Sequence, residues 1–188
     1  MTDGLKSLHY DLIMRVIDNF LGIKQFQELQ AYMMSEEITW KYCPYVAGTT
    51  EKPDSDPTAF QFIHSFYQTN TLEYDNEVVR LNNILMQLNP QALLRIKANL
   101  QPRTPKIRIN DWHTDYTNVI KCTTAVYYIN TNDGYTEFKD GTKVNSLENR
   151  MVLFNSQLEH RGTTCTNENV RVVINFNFHG GDFDVINQ

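Results

Sequence analysis

Five consecutive residues, Asp111-Trp112-His113-Thr114-Asp115, carry the densest chemistry in the chain. A histidine and an aspartate two apart can hold one metal ion from two sides where a strand opens into a loop. A second histidine, His160, stands in Gln157-Leu158-Glu159-His160-Arg161-Gly162, after a strand-like run. Two imidazoles and one carboxylate make a facial triad. On an octahedral iron(II) this leaves three positions open, enough for a bidentate co-substrate and dioxygen. Eleven residues further on, Arg171 lies in the β-branched run 170–178. Its planar fork suits the distal carboxylate of a dicarboxylic acid. Each part has an ordinary reading as well. His-x-Asp is frequent by chance, His160 could be a loop histidine, and Arg171 could pair with a surface acid. The order of the parts is what argues for a site.

Such residues need a rigid frame, and the second half of the chain reads as one. Residues 93–100, 120–130, 135–139, 150–155 and 170–178 have strand character, most of them rich in β-branched and aromatic residues. Asp133-Gly134 and Asp140-Gly141 are dipeptides that close tight hairpins. Many short strands with such turns predict a sandwich or barrel. The first half differs. Apolar residues at helical spacing predict a helix over 23–34 and another over 76–88, the second ended by Asn89-Pro90. Residues 16–21 read as a short strand or a lead-in to the first helix, and 51–58 as a loop. The expected organisation is a single domain over 1–188, with a helical buttress and leading strands in 1–91 and the catalytic barrel in 92–180. The helices are expected on the outside of one sheet.

Residues 92–180 resemble the iron(II)/2-oxoglutarate oxygenases, especially the prolyl-hydroxylase-like branch. The resemblance implies a mostly β fold with flanking helices, the double-stranded β-helix or jelly-roll barrel. It implies that His113, Asp115 and His160 are the iron ligands and that Arg171 binds the C5 carboxylate of 2-oxoglutarate. In the run Thr124-Ala-Val-Tyr-Tyr-Ile-Asn130, Tyr128 matches a position that hydrogen-bonds the same carboxylate. Thr124 and Tyr128, four apart, share a strand face, as a pocket wall requires. By the same period Arg171, Val173, Asn175 and Asn177 face together, and Asn175 is taken as pocket lining beside Thr124. Fe(II), 2-oxoglutarate and O2 are the implied cofactors and co-substrates. The implied reaction is C–H hydroxylation coupled to decarboxylation, with a peptidyl or free amino acid, proline first, as substrate. The chain departs from the family pattern in two places. Gly134 stands alone where many members have a glycine pair, and the usual glycine-tyrosine pattern before His-x-Asp is missing, leaving residues 99–108 unassigned.

Two other function classes compete. Arg95, Lys97, Arg103, Lys106 and Arg108 fall in a stretch without an acid, which suits a nucleic-acid base hydroxylase or dealkylase. The plainer account is a charge-protected strand edge paired with the chain's many acids. The other alternative is a non-catalytic cupin-like binding module, which has no use for a triad and a carboxylate clamp together. Composition narrows the field further. The 188 residues carry a net charge of -5, which weighs against a global grip on nucleic acid. No apolar run approaches a membrane span, and the first eleven residues lack a signal-peptide pattern. Three distant cysteines, Cys43, Cys122 and Cys165, favour a reducing, cytoplasmic compartment over a disulfide framework. Trp112 is expected at the substrate mouth or in packing, Cys122 as core filler, and His9, His64 and His179 as structural or surface residues.

Overall fold

The computed structural model describes residues 14–46, 59–116 and 122–181. In chain order the elements are β1 (Arg15–Ile17), α1 (Ile23–Met33), β2 (Lys41–Cys43), β3 (Gln61–Gln68), β4 (Glu73–Tyr74), a 3-10 helix (Asn76–Leu81) running into α2 (Asn82–Leu88), then β5 (Ala92–Pro102), β6 (Cys122–Tyr128), β7 (Tyr135–Phe138), β8 (Lys143–Asn145), β9 (Arg150–Asn155), β10 (His160–Gly162) and β11 (Val170–His179). The major sheet runs β1-β9-β6-β11-β5-β3-β2, with β4 added on β3, and faces a minor sheet β10-β7-β8. Every described strand pair is antiparallel. Two such sheets closing on one interior are the double-stranded β-helix expected above. No described helix is long and apolar enough to cross a membrane.

The major sheet has two unlike faces, and strand alternation makes them. On β11, Val172, Ile174, Phe176 and Phe178 point to the helical side. They join Ile96 and Ala98 of β5, Ala125 and Tyr127 of β6, and Met151 and Leu153 of β9 in the main core. Helix α1 covers this face with Phe26, Leu29, Tyr32 and Met33; α2 adds Ile84 and Leu88. The helices therefore lie outside one sheet, as read from the sequence. Asp75 caps the 3-10 turn by accepting a hydrogen bond from Glu77 N at 2.8 Å. Asn89, left-handed at φ 45°, ends α2. On the opposite face a smaller cluster of Val126, Tyr128, Phe138, Val144, Val152, Phe154 and Val173 fills part of the barrel.

Two expectations need correction. Asp140-Gly141 does turn β7 into β8, with Gly141 at φ 89°. Asp133-Gly134 closes no hairpin. It carries the chain from β6 in the major sheet to β7 in the minor one, with Asp133 accepting from Thr166 N at 2.7 Å. Glycine is required at 134 for space, because a Cβ there would lie 2.7 Å from Arg171 Cδ. The stretch holding Arg95 and Lys97 is no edge. β5 is paired on one side with β11 and on the other with β3. The loop read over 51–58 and the residue His9 lie outside the described residues.

Asn149 ties the first described segment to the barrel. Its Oδ1 accepts from Leu21 N at 2.9 Å and from the Tyr127 hydroxyl at 2.6 Å, and its Nδ2 donates to Leu21 O at 2.8 Å. Its φ of 57° is a conformation asparagine tolerates better than most residues. Asn149→Ala leaves a buried N–H and a buried hydroxyl without partners. It is expected to cost about 2–4 kcal/mol, read as a lower urea midpoint with an unchanged slope.

Candidate metal centre

A short antiparallel bridge brings the two histidines together. His113 N donates to His160 O at 3.0 Å and His160 N donates to His113 O at 2.9 Å. Flanking bonds from Asn110 N to Gly162 O and from Asp115 N to Ser156 O extend this pairing along the loop. The imidazole centroids lie 4.4 Å apart. One ligand atom from each of His113, Asp115 and His160 falls within 4.8 Å of the others. Each ring also has its Nδ1 against a backbone carbonyl, Leu158 O at 2.9 Å for His160 and Asp111 O at 3.3 Å for His113. A proton held on Nδ1 leaves the Nε2 lone pair free for a metal, the usual arrangement of a ligating histidine. Phe154 and Phe138 stack edgewise around this corner and fix the His160 ring. Donor types and spacing fit a divalent first-row ion, and the carbonyl beside each Nδ1 favours the tautomer that such an ion needs.

Asp115 is held by three strands at once. From β5, Arg95 Nη2 donates to Oδ1 at 2.9 Å. From β6, the Thr124 hydroxyl donates to Oδ2 at 2.8 Å. From β11, Asn177 Nδ2 donates to Oδ2 at 3.1 Å and also to Thr124 Oγ1 at 2.9 Å. Asn177 Oδ1 in turn accepts from Arg95 Nε at 2.9 Å. The side chains of Arg95 and Asp115 are 17% and 5% exposed, so this is a buried ion pair. Burial alone would raise the Asp115 pKa. The Arg95 charge, the two histidines and the Asn177 hydrogen bond outweigh it, holding the carboxyl well below its ordinary range. His113 is pushed down to about 4, first by burial and then by the neighbouring His160.

The other predicted residues divide. Arg171 and Asn175 line the cavity beside the triad. Arg171 is 4% exposed. Its Nε donates to Ser146 Oγ at 2.8 Å and its Nη2 to Thr136 Oγ1 at 3.3 Å. Among the described residues no carboxylate pairs with it. Tyr128 sits behind the wall, with its hydroxyl donating to Thr136 Oγ1 at 2.8 Å. Thr124, expected on the co-substrate, instead grips Asp115, because its place on β6 opposite Asn177 puts it under the loop that carries the carboxylate. Trp112 packs under two cations, Arg161 at 4.0 Å and Lys139 at 4.6 Å from its ring centre. Cys122 is buried and free. His64 is buried, with Thr39 O 2.8 Å from its Nδ1.

Sequence reasoning put Asn177 on the inner face and Arg95 in a basic stretch, but missed their grip on Asp115 and the polar wall of β5. The signal was present. In Arg95-Ile-Lys97-Ala-Asn99-Leu-Gln101 the polar residues alternate strictly with apolar ones. Read as a central strand, that pattern puts four polar side chains on one face.

Two outcomes follow from this geometry. Asp115→Ala should abolish tight metal binding and also destabilise the metal-free protein by about 3–5 kcal/mol, since Arg95 is left buried and uncompensated. Arg95→Met combined with Asp115→Ala should recover much of that stability and none of the metal affinity, checked by urea unfolding and calorimetric metal titration. The second concerns acid. A histidine near 6.5 when unfolded and near 4 when folded takes up its proton preferentially in the unfolded chain between those values. Metal-free protein should therefore lose stability as pH falls from about 6.5 to about 4, and His113→Gln should flatten that slope in urea midpoints.

Residues 108–179 match the family model of the 2OG-Fe(II) oxygenase superfamily, a span that includes the triad and Arg171. No curated protein sequence matches the chain. Solved structures share the fold. A prolyl hydroxylase from Trichoplax adhaerens, in complex with a hypoxia-inducible-factor peptide, aligns with TM-score 0.57 at 14% identity, covering 88% of this chain and 83% of that one. A prolyl-4-hydroxylase from Pseudomonas putida aligns with TM-score 0.53 at 13% identity, over 90% and 94%. HygX from Streptomyces hygroscopicus, with nickel, 2-oxoglutarate and hygromycin B bound, aligns with TM-score 0.53 at 10% identity, over 92% and 84%.

Proposed function

Through residues 108–179 the chain falls within the 2OG-Fe(II) oxygenase superfamily, and from that premise we propose that it hydroxylates a C–H bond of a peptidyl or free amino acid. His113, Asp115 and His160 would hold the iron. Bound iron with 2-oxoglutarate and O2 supplies oxidative decarboxylation, giving succinate and carbon dioxide, and the oxidising power for the C–H bond. The protein's share is ligation, orientation and exclusion of water.

One observation carries the assignment of the co-substrate end. Arg171 is a buried guanidinium whose described partners are the neutral hydroxyls of Ser146 and Thr136. Desolvation lowers its pKa, yet a guanidinium stays charged in a protein. A buried cation without an anion is costly, and a carboxylate entering the cavity would supply the missing charge in bidentate form. The Thr136 hydroxyl, held by Tyr128, stands ready to share that carboxylate. The two ends of a short dicarboxylic acid would then bridge Arg171 and the metal. A peptide or amino-acid substrate rests on the resemblance to prolyl hydroxylases. The nucleic-acid alternative loses two of its five cations, since Arg95 and Lys97 line the cavity and are not free to follow a phosphate backbone.

Arg171→Ala should weaken 2-oxoglutarate by roughly 30- to several-thousand-fold, the range for removing one partner of a buried charge pair. Metal affinity without co-substrate should change little. Arg171→Lys should be the milder change, keeping the charge and losing the fork. The measurement is anaerobic titration of 2-oxoglutarate into the iron(II) protein, followed by its charge-transfer absorbance. Unchanged affinity in Arg171→Ala would assign the carboxylate to another residue.

A further inference from the structure

The polar wall of β5 holds a cation that neither the triad nor the Arg171 corner uses. Arg95, Lys97, Asn99 and Gln101 all line the cavity, and Arg95 is engaged by Asp115. Lys97 is not engaged. Among the described residues, no hydrogen bond or ion pair meets its amine. Its register partner on β11 is Asn175, which puts the two side chains next to each other on the inner face. Asn175 Oδ1 is buried and receives no hydrogen bond, and the same holds for Gln101 Oε1 and Asn110 Oδ1 on the same cavity. The wall therefore sets one ammonium group beside one acceptor oxygen, Asn175 Oδ1, that no described protein donor reaches, with two more such oxygens elsewhere on the same cavity.

The charges point the same way. Among the described residues, three cations, Arg95, Lys97 and Arg171, line the cavity against one carboxylate, Asp115. With Arg95 on Asp115 and Arg171 on the co-substrate, the charge still open is Lys97. The cavity, about 280 Å³, lies at the small end of ligand pockets.

Resting on the oxygenase reading above, we propose that the substrate is a free amino acid, with its carboxylate on Lys97 and its ammonium group against the amide oxygen of Asn175. A residue inside a peptide has neither charge and would leave Lys97 desolvated and unpaired. Burial first, and then Arg95, bring the Lys97 pKa down to about 8, with Asp115 only partly opposing them. His113 and Asp115 line the same cavity as Lys97. An acid bound there would lie beside the triad, where its side chain can meet the metal's open face.

The test uses the anaerobic protein loaded with iron(II) and 2-oxoglutarate. Standard free L-amino acids, including proline, are titrated calorimetrically, each beside its carboxamide and its N-acetyl derivative. Succinate release is then read on admitting air. At least one free amino acid should bind and stimulate turnover. Its carboxamide should bind at least about 30-fold more weakly, the scale of a lost charge pair. Lys97→Met should cost the acid a similar factor and leave carboxamide affinity within about twofold; Lys97→Arg should restore part of the loss. Equal binding of acid and carboxamide, preference for capped peptides or oligonucleotides, or no binding by any free amino acid overturns the proposal. So does a Lys97→Met variant whose main loss is in 2-oxoglutarate affinity, which would move Lys97 to the co-substrate. Absence of a 2-oxoglutarate charge-transfer band in the unaltered protein would instead overturn the oxygenase reading itself.

Discussion

A carboxylate inside a barrel is expensive, and the described interior of this protein is arranged around Asp115. Desolvating an ion costs several kcal/mol even after relaxation. Asp115 recovers that cost from Arg95 on β5, Thr124 on β6 and Asn177 on β11. These are three successive strands of the major sheet, β6-β11-β5. The loop bearing His113 and Asp115 is thereby fastened to the sheet's floor, while the backbone bridge from His113 to His160 fastens it to the minor sheet. The same contacts that hold the loop keep the carboxyl ionised, so structural anchoring and readiness to bind a cation have one cause.

The major sheet divides its labour by face. Its outer face carries the apolar core and the helices, which supply the bulk of the hydrophobic stabilisation. That leaves the inner face free to be polar. Near β9 and the minor sheet the inner face is still apolar, with Val126, Val152, Phe154 and Phe138 in contact. Toward β5 it becomes a wall of Arg95, Lys97, Asn99 and Gln101. Lys97 and the orphaned amide oxygen of Gln101 on that wall are features a protein gives up stability to keep, because each lacks a partner among the described residues.

The long elements were legible because their patterns are strong and local. α1, β9 and β11 appear within a residue of where apolar spacing put them. The strands that went unread are short or irregular. β2, β8 and β10 have three residues each, too few for an alternation to register. β10 begins at His160 itself, so a residue read as lying in a loop is held by strand pairing. β3, Gln-Phe-Ile-His-Ser-Phe-Tyr-Gln, mixes polar and apolar residues on both faces and shifts register near Ser65 and Tyr67, which hides the period.

What the sequence determined by itself was chemistry in order along a line: His-x-Asp, then a distal histidine, then an arginine on a strand, with enough β-branched and apolar periodicity to require a two-sheet frame. Side-chain type and near-neighbour spacing are sufficient for that, because donor chemistry and strand period are local properties. What only the tertiary structure decided was partnership. Lys97 and Asn175 are 78 positions apart in the numbering and become neighbours only because β5 pairs with β11. Arg95 becomes the counter-ion of Asp115, and Thr124 its hydrogen-bond donor, because β5, β11 and β6 are adjacent in the sheet. Strand order is set by the summed burial and hydrogen bonding of the whole fold, and no local pattern of residues encodes which polar face will meet which.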